Sequence, residues 1–230
     1  MTTKRTLTIA ILLTLLTSII ARGQQPEVAR AVIVDKMVAT VDKELITYSD
    51  ILWQLALQPN SPLENPSSEN LNRVLSILID QRLVLQDAAK LPAVAPTDKQ
   101  IDAALTELIN LFPSRSEFQG RITRVGLTAE QLREIMRQRL VIENYLDFRF
   151  RSFTVITPKE VADYYRDAYV PRFRERNSGI IVPTFEQARS EIERTLTESK
   201  IESDTEAFID TARERAEIVI LSPLGAAATP

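Results

Sequence analysis

Apolar positions recur along this chain in two periods, and the switches between them mark its elements. From Lys36 to Val41 the residues alternate and are rich in β-branched side chains, Asp42-Lys43 can turn, and Glu44 to Thr47 can return. This pattern predicts a short hairpin or strand-turn. A helix is expected over about 49–57, ended by Pro59-Asn60-Ser61-Pro62 and followed by a polar loop to Ser68. Over 70–90 the residues Leu71, Val74, Leu75, Leu78, Ile79, Leu85 and Ala89 form a broad stripe at helical spacing, stopped by Pro92 and Pro96.

Four later segments open with one device: Thr97-x-x-Gln100, Thr128-x-x-Gln131, Thr157-x-x-Glu160 and Thr184-x-x-Gln187. In each, the Thr hydroxyl can accept from the N3 amide while the Gln or Glu side chain accepts from the cap amide. These capping boxes predict helices near 98–111, 129–150, 158–169 and 185–213, with a shorter helix near 115–124 between Pro113 and Gly126. The last helix carries Phe185, Ala188, Ile192 and Leu196 on one face; a break is expected near Ser203-Asp204, with Phe208, Ile209 and Ala212 continuing the stripe. A second β-run, 216–221, is stopped by Pro223. A lone strand leaves its backbone groups unpaired, so 216–221 is expected to pair with 36–46. The fold class is therefore mainly α, with a small β-sheet formed by N-terminal and C-terminal strands.

The first residues read as a targeting segment. Lys4 and Arg5 precede an uncharged, mostly apolar run from Leu7 to Ile20, and Ala21-Arg22-Gly23 offers small residues at the two positions a signal peptidase reads. Cleavage after Gly23 is expected, giving a periplasmic protein without stable membrane insertion. The competing reading, a retained anchor, is disfavoured because the run falls short of the roughly 20 residues that span a bilayer. A lipid anchor would need a cysteine, and there is none.

Composition narrows the chemistry further. The chain has no Cys and no His, which removes disulfides, thiolate nucleophiles, the usual zinc ligands and the commonest general base. With 5 Gly, neither a phosphate loop nor a dinucleotide fingerprint nor a nucleophile elbow can be found. No catalytic site, metal or cofactor is expected. The net charge of −3 becomes more negative once Lys4, Arg5 and Arg22 are removed, a poor balance for nucleic-acid binding.

Several clusters invite a functional reading beside a plainer one. Tyr164, Tyr165, Tyr169 and Phe173 could bind a ligand, but helix packing explains them more simply. Arg172, Arg174 and Arg176 could meet an acidic partner; a solvated linker is the simpler reading. Glu198, Glu202, Asp204 and Glu206 lack the spacing and glycine of a calcium loop and read as a solvated face. Trp53 fits a core position in its amphipathic helix better than a binding anchor.

The order of elements resembles a known family. The segment from Val38 to Ile51, VATVDKELITYSDI, is similar to the opening strand-turn-helix of SurA-like chaperones and related parvulin-type foldases. Leu78-Ile79-Asp80-Gln81-Arg82-Leu83 with Gln86-Asp87-Ala88 resembles that family's next helix. Gly126-Leu127-Thr128 through Leu132-Arg133, and then Val155 to Val161 with Tyr164-Tyr165, resembles the stretch leading into the first parvulin domain. Phe185 to Ile192 resembles the C-terminal helix beyond the last one. Here only residues 170–183 connect those two parts, the length of a loop rather than a domain.

The resemblance implies a helical chaperone core without its isomerase domain. It divides the chain into a signal peptide (1–23), an N-terminal chaperone segment (24–169), a linker (170–183), a C-terminal helix and strand completing the core (184–222) and a disordered tail (223–230). It implies a holdase for unfolded or nascent outer-membrane and secreted proteins, with a homodimer left open. The candidates for its peptide-binding surface are Trp53, Phe112, Phe118, Tyr145, Phe148 and Phe150. Two other readings compete: an envelope assembly subunit or scaffold with one dedicated partner, and a prolyl isomerase with an unrecognised site.

Overall fold

The structure is a computed structural model, and it describes residues 35–222 and Leu224. The expected signal peptide, the start of the mature chain and residues 225–230 of the tail lie outside the described residues. The hairpin forms as β1 (Met37–Val41) and β2 (Glu44–Thr47). Its turn places Asp42 at φ 53, a left-handed conformation that Asp tolerates better than most residues. The chain's other end closes the sheet. β3 (Ile218–Ile220) pairs antiparallel with β1, in the order β2-β1-β3, with Thr40 facing Val219. Asp42 fastens this junction, its amide donating to the Glu217 carbonyl at 2.8 Å and its carboxylate accepting from the Glu217 amide at 2.9 Å.

Helices fill the interval. α1 (Tyr48–Ala56) starts at a capping box that the sequence reading passed over, Thr47 with Asp50. α2 (Ser68–Ala88) is capped by Ser67. α3 (Asp98–Asn110) and α5 (Ala129–Arg149) begin at the Thr97 and Thr128 boxes, and α4 (Arg115–Arg124) lies between them. Gly126, at φ +67, ends α4 with the Leu127 amide donating to the Ile122 carbonyl and its own amide to Thr123. Reversing the chain this way needs a left-handed residue, for which glycine is suited. α6 (Pro158–Tyr164) and α8 (Phe185–Arg215) start at the remaining two boxes.

Two expectations are corrected here. The 170–183 segment is not a loop throughout: α6 runs on through a π-helical turn (Tyr165–Tyr169) into α7 (Val170–Arg176). The wider turn lies just before Pro171, whose ring would otherwise press on the carbonyl four residues back. Nor does α8 break at Ser203-Asp204; it is one helix of 31 residues, about 45 Å long. Its apolar positions do not continue as one stripe. Ala188 and Phe208, both buried, are 20 residues apart, which is roughly 200° around a 3.6-residue helix. The two ends of α8 therefore bury nearly opposite faces.

That rotation divides the packing into a body and a lobe. In the body, the sheet, α1 and α2 enclose Val38, Ile46, Ile51, Leu55 and Leu75, with Ala212 of α8 closing one side. Arg213 fixes this contact, its guanidinium donating to Asp80 at 2.6 Å and to the Ser76 hydroxyl at 2.7 Å. A second cluster joins α3, α4 and α5, and a third sets Phe208 against Val84 and Tyr145. The lobe has a far smaller core, Val161, Ala188 and Ile192, covered by Tyr164, Tyr165, Tyr169 and Phe185. The expected packing of the last helix on α2 thus holds for its C-terminal end, while its N-terminal end belongs to the lobe.

Candidate functional site

Of the six aromatic candidates, only Phe148 is an exposed surface residue. Phe112 and Phe118 are buried edge-to-face, 5.1 Å between ring centres, in the α3–α4–α5 cluster. Tyr145 is buried 6.1 Å from Phe208. These three are core residues, and a client could reach them only by opening the body. Phe150 is half-buried 5.9 Å from Phe208, under the Arg149 guanidinium, which lies 4.7 Å over the Phe208 ring. Trp53 is half-buried, and its indole donates to the Val125 carbonyl at 3.1 Å, on the turn that Gly126 makes. A ring on a helical stripe reads the same in sequence whether another helix or nothing covers it.

The exposed aromatic surface lies where α5 ends. After Arg149 the chain makes a 3-10 turn (Arg151–Phe153) that swings Phe153 back toward Phe148, ring centres 6.4 Å apart and nearly perpendicular. Phe148 is 52%, Phe153 73% and Val155 69% exposed. Lys200, on the solvent-facing middle of α8, donates to the Val155 carbonyl at 3.3 Å and so sets this strip beside the strut joining body and lobe. Arg151 is held by Asp147 at 2.9 Å, which raises its pKa further. The result is an exposed Phe148–Phe153 pair with exposed Val155 two residues further on, with Arg151 and Lys200 nearby in the same segment and on α8, and exposed apolar surface of this kind commonly marks a place of association. Phe153 and Val155 were not picked out as site residues. The signal was available: three Phe interleaved with Arg149 and Arg151 at a helix end cannot all be buried.

Two concavities accompany the strip. In the lobe, a groove of about 350 Å³ lies between α7 and α8, bordered by Tyr164, Tyr169, Phe173, Arg172, Arg176 and Glu191. Its rings are held by packing, as expected: Tyr165, Tyr169 and Phe173 stack successively at 5.8 and 6.0 Å, and the Tyr165 hydroxyl donates to the Pro183 carbonyl at 2.8 Å. Burial and the nearby Glu191 raise the Tyr169 pKa. In the body, a smaller cleft of about 140 Å³ lies among α1, α2 and α5. Among the described residues no group of acidic side chains is placed to hold a metal, and the 198–206 acids lie on an exposed face. No helix among the described residues is long and apolar enough to cross a membrane.

Comparison with known proteins places the fold and nothing finer. No family model matches the sequence, and no curated protein matches it. Among solved structures, the chain is similar to one from the work on the virulence factor PEB4 and the periplasmic protein Cj1289 of Campylobacter jejuni, two structurally related SurA-like chaperones. The match has a TM-score of 0.50 at 12% identity and covers 81% of this chain and 99% of that one. The fold of this chain, a helical body whose small sheet joins β1 and β2 to β3, is therefore similar to that of this solved structure.

Proposed function

We propose that this chain is a periplasmic chaperone that holds unfolded segments of outer-membrane or secreted proteins, without isomerising them. The observation that carries this reading is the strip Phe148–Phe153–Val155, exposed on a body whose fold is similar to that of a SurA-like chaperone. Three large apolar side chains left mostly in water contribute little to the isolated fold; covering a side chain of this kind fully is worth about 1.5–3 kcal/mol. A client strand with apolar and acidic residues fits both the strip and the cations near it. Residues 1–23 have the pattern of a signal peptide, consistent with export. Residues 170–183 leave no room for a parvulin domain, and the chain has no histidine for its pocket.

The test is suppression of aggregation of an unfolded outer-membrane protein by the chain lacking residues 1–23. Replacing Phe148, Phe153 and Val155 with Ser is expected to remove the effect while leaving the melting temperature nearly unchanged, because these side chains bury little. Unaltered suppression by the triple variant would move the client site elsewhere. A prolyl-peptide assay is expected to show only the uncatalysed rate, tens to hundreds of seconds. The lobe groove, with its defined aromatic and arginine walls, favours a second reading, a dedicated envelope partner. Suppression limited to one protein out of many would select it.

A further inference from the structure

The turn that leaves α7 puts aliphatic side chains in water without a packing reason. Asn177 ends the helix, and the Ile180 amide donates to the Asn177 carbonyl at 3.1 Å, closing a β-turn. Gly179 takes the third position of that turn at φ +85, where glycine is favoured. Ile180 and Ile181 follow, 61% and 91% exposed, and Ile181 is the most exposed large apolar side chain among the described residues. Both feet of the turn are tied to the lobe. The Asn177 side-chain amide donates to the Phe173 carbonyl at 3.1 Å, and the Pro183 carbonyl accepts from the Tyr165 hydroxyl at 2.8 Å.

Cations surround this tip. Arg174 and Arg176 lie in the last turn of α7, two residues and so about 200° apart around the helix, and the chain leaves between them. Arg172, one turn before Arg176, donates to the Tyr164 hydroxyl at 3.3 Å. The ion pairs of the lobe engage Lys159, Arg166 and Arg189, and leave Arg172, Arg174 and Arg176 without a carboxylate among the described residues. Glu191 shares the groove with Arg172 and Arg176 and forms an ion pair with neither. Glu175 lies among the three arginines, and the next acid is Glu186. Residues 170–183 therefore carry three arginines and one carboxylate, in a chain of net charge −3.

An aliphatic pair beside exposed guanidiniums has the chemistry of a lipid interface, where acyl chains take the isoleucines and anionic headgroups meet the arginines. The shape favours a bilayer over a peptide. Ile180 and Ile181 border neither the lobe groove nor the body cleft, so they offer a peptide nothing to lie in. A fluid phase closes around a protrusion without needing a groove.

We propose that the 177–183 turn seats the lobe on an anionic lipid surface, with Ile180 and Ile181 entering the boundary between headgroups and acyl chains and Arg172, Arg174 and Arg176 against the phosphates. Two aliphatic side chains and three cations give weak, reversible adsorption rather than insertion. The surface differs from the client-binding strip in residues and in partner, and does not rest on it.

The test is sedimentation of residues 24–230 with vesicles of phosphatidylcholine alone and of equal parts phosphatidylcholine and phosphatidylglycerol. Binding to the anionic vesicles is expected to be at least roughly tenfold tighter. I180S/I181S should keep the melting temperature and weaken that binding roughly tenfold or more. R174Q/R176Q should lose most of the preference for anionic vesicles, and so should the wild type in high salt. The chain has no cysteine, so Ile181→Cys carries a polarity-sensitive dye at one place. Its emission should shift to the blue on anionic vesicles, while the same dye on Gln119→Cys, in α4, should not respond. No sedimentation with anionic vesicles, equal binding to both lipids, unaltered binding by I180S/I181S, or a dye at 181 that stays in water would each overturn the proposal. Loss of client binding in I180S/I181S without any vesicle binding would also overturn it and assign the turn to clients. I180S/I181S should still suppress aggregation, so failure of this proposal and failure of the client-binding reading are separate results.

Discussion

The body and the lobe are built from the same kinds of helix yet held by different means. The body closes on contacts between the two ends of the chain: β3 on β1, Ala212 against the sheet cluster, and Arg213 on Asp80 and Ser76. Its innermost residues, Val38, Ile46, Ile51 and Leu55, are fully enclosed. The lobe is mostly local. It buries three small or mid-sized side chains under stacked rings, and its ion pairs Lys159–Asp163 and Arg166–Asp163 span one helical turn. Such exposed pairs contribute little. Stability is therefore expected to be uneven, concentrated in the body and low in the lobe.

The largest effect should follow from removing residues 184–230. That takes away β3, Phe208 and Ala212 from the body and the N-terminal half of α8 from the lobe. Several buried apolar side chains at about 1.5–3 kcal/mol each rival a whole domain's roughly 5–15 kcal/mol. Residues 24–183 should aggregate or melt without cooperativity in a calorimeter. A clean cooperative melt would mean that the body does not need the C-terminal strand.

Next comes a matched pair of cavities. Ile51→Ala in the body is expected to cost about 2–5 kcal/mol in a urea melt. Ile192→Ala in the lobe should lower the global midpoint much less and instead speed amide hydrogen exchange over 158–176. Equal global losses would erase the distinction between the regions. A smaller body effect belongs to Arg121. Its guanidinium donates to the carbonyls of Leu55, Ala56, Gln58 and Ser61 at 2.8–3.0 Å, capping the end of α1. Burial lowers its pKa, against the helix-end carbonyls that hold its charge. Arg121→Met should cost roughly 1.5–3 kcal/mol.

The smallest effect is expected in acid. The carboxylates held below their ordinary pKa are Glu160, by bonds from the Thr157 hydroxyl and amide, Asp163, by Lys159 and Arg166, and Asp167, by Arg166. All three lie in the lobe. Depressed values mean that their contribution is present at neutral pH and disappears as pH falls below 4.5 and 3.8, the ordinary Glu and Asp values, through the folded-state values. Hydrogen exchange followed through that range should quicken in α6 before α1 or α2. The reverse order would contradict the assignment.

Much of this architecture was legible in the sequence because it is specified locally. The four Thr boxes fix helix starts through bonds spanning three residues, and all four form. The pairing of the chain ends was inferable because a β-run must find a partner. What escaped depends on rotation and long-range placement. Phe208 and Ala188 lie on nearly opposite faces of α8, so a stripe read as continuous is two. Arg121 finds its four carbonyls at the end of α1 and in the loop after it, some sixty residues earlier, and no spacing signals that. The helical 170–176 segment was hidden by Pro171, a breaker in an α-helix that a π-turn accommodates. The candidate site was the least legible part: the arginines interleaved with Phe148, Phe150 and Phe153 signal that some of these rings are exposed, but not that Phe150 is the one Phe208 covers.

The most direct measurement is photo-crosslinking of an unfolded outer-membrane protein to the full chain. A photoreactive residue is placed in turn at Phe148, Phe153, Val155 and, as exposed controls on the far helices, Leu111 and Gln119. Strong adducts at 148, 153 and 155 with little at 111 and 119 are expected. Equal labelling at all five positions, or labelling confined to the controls, would contradict the strip as the client-binding surface.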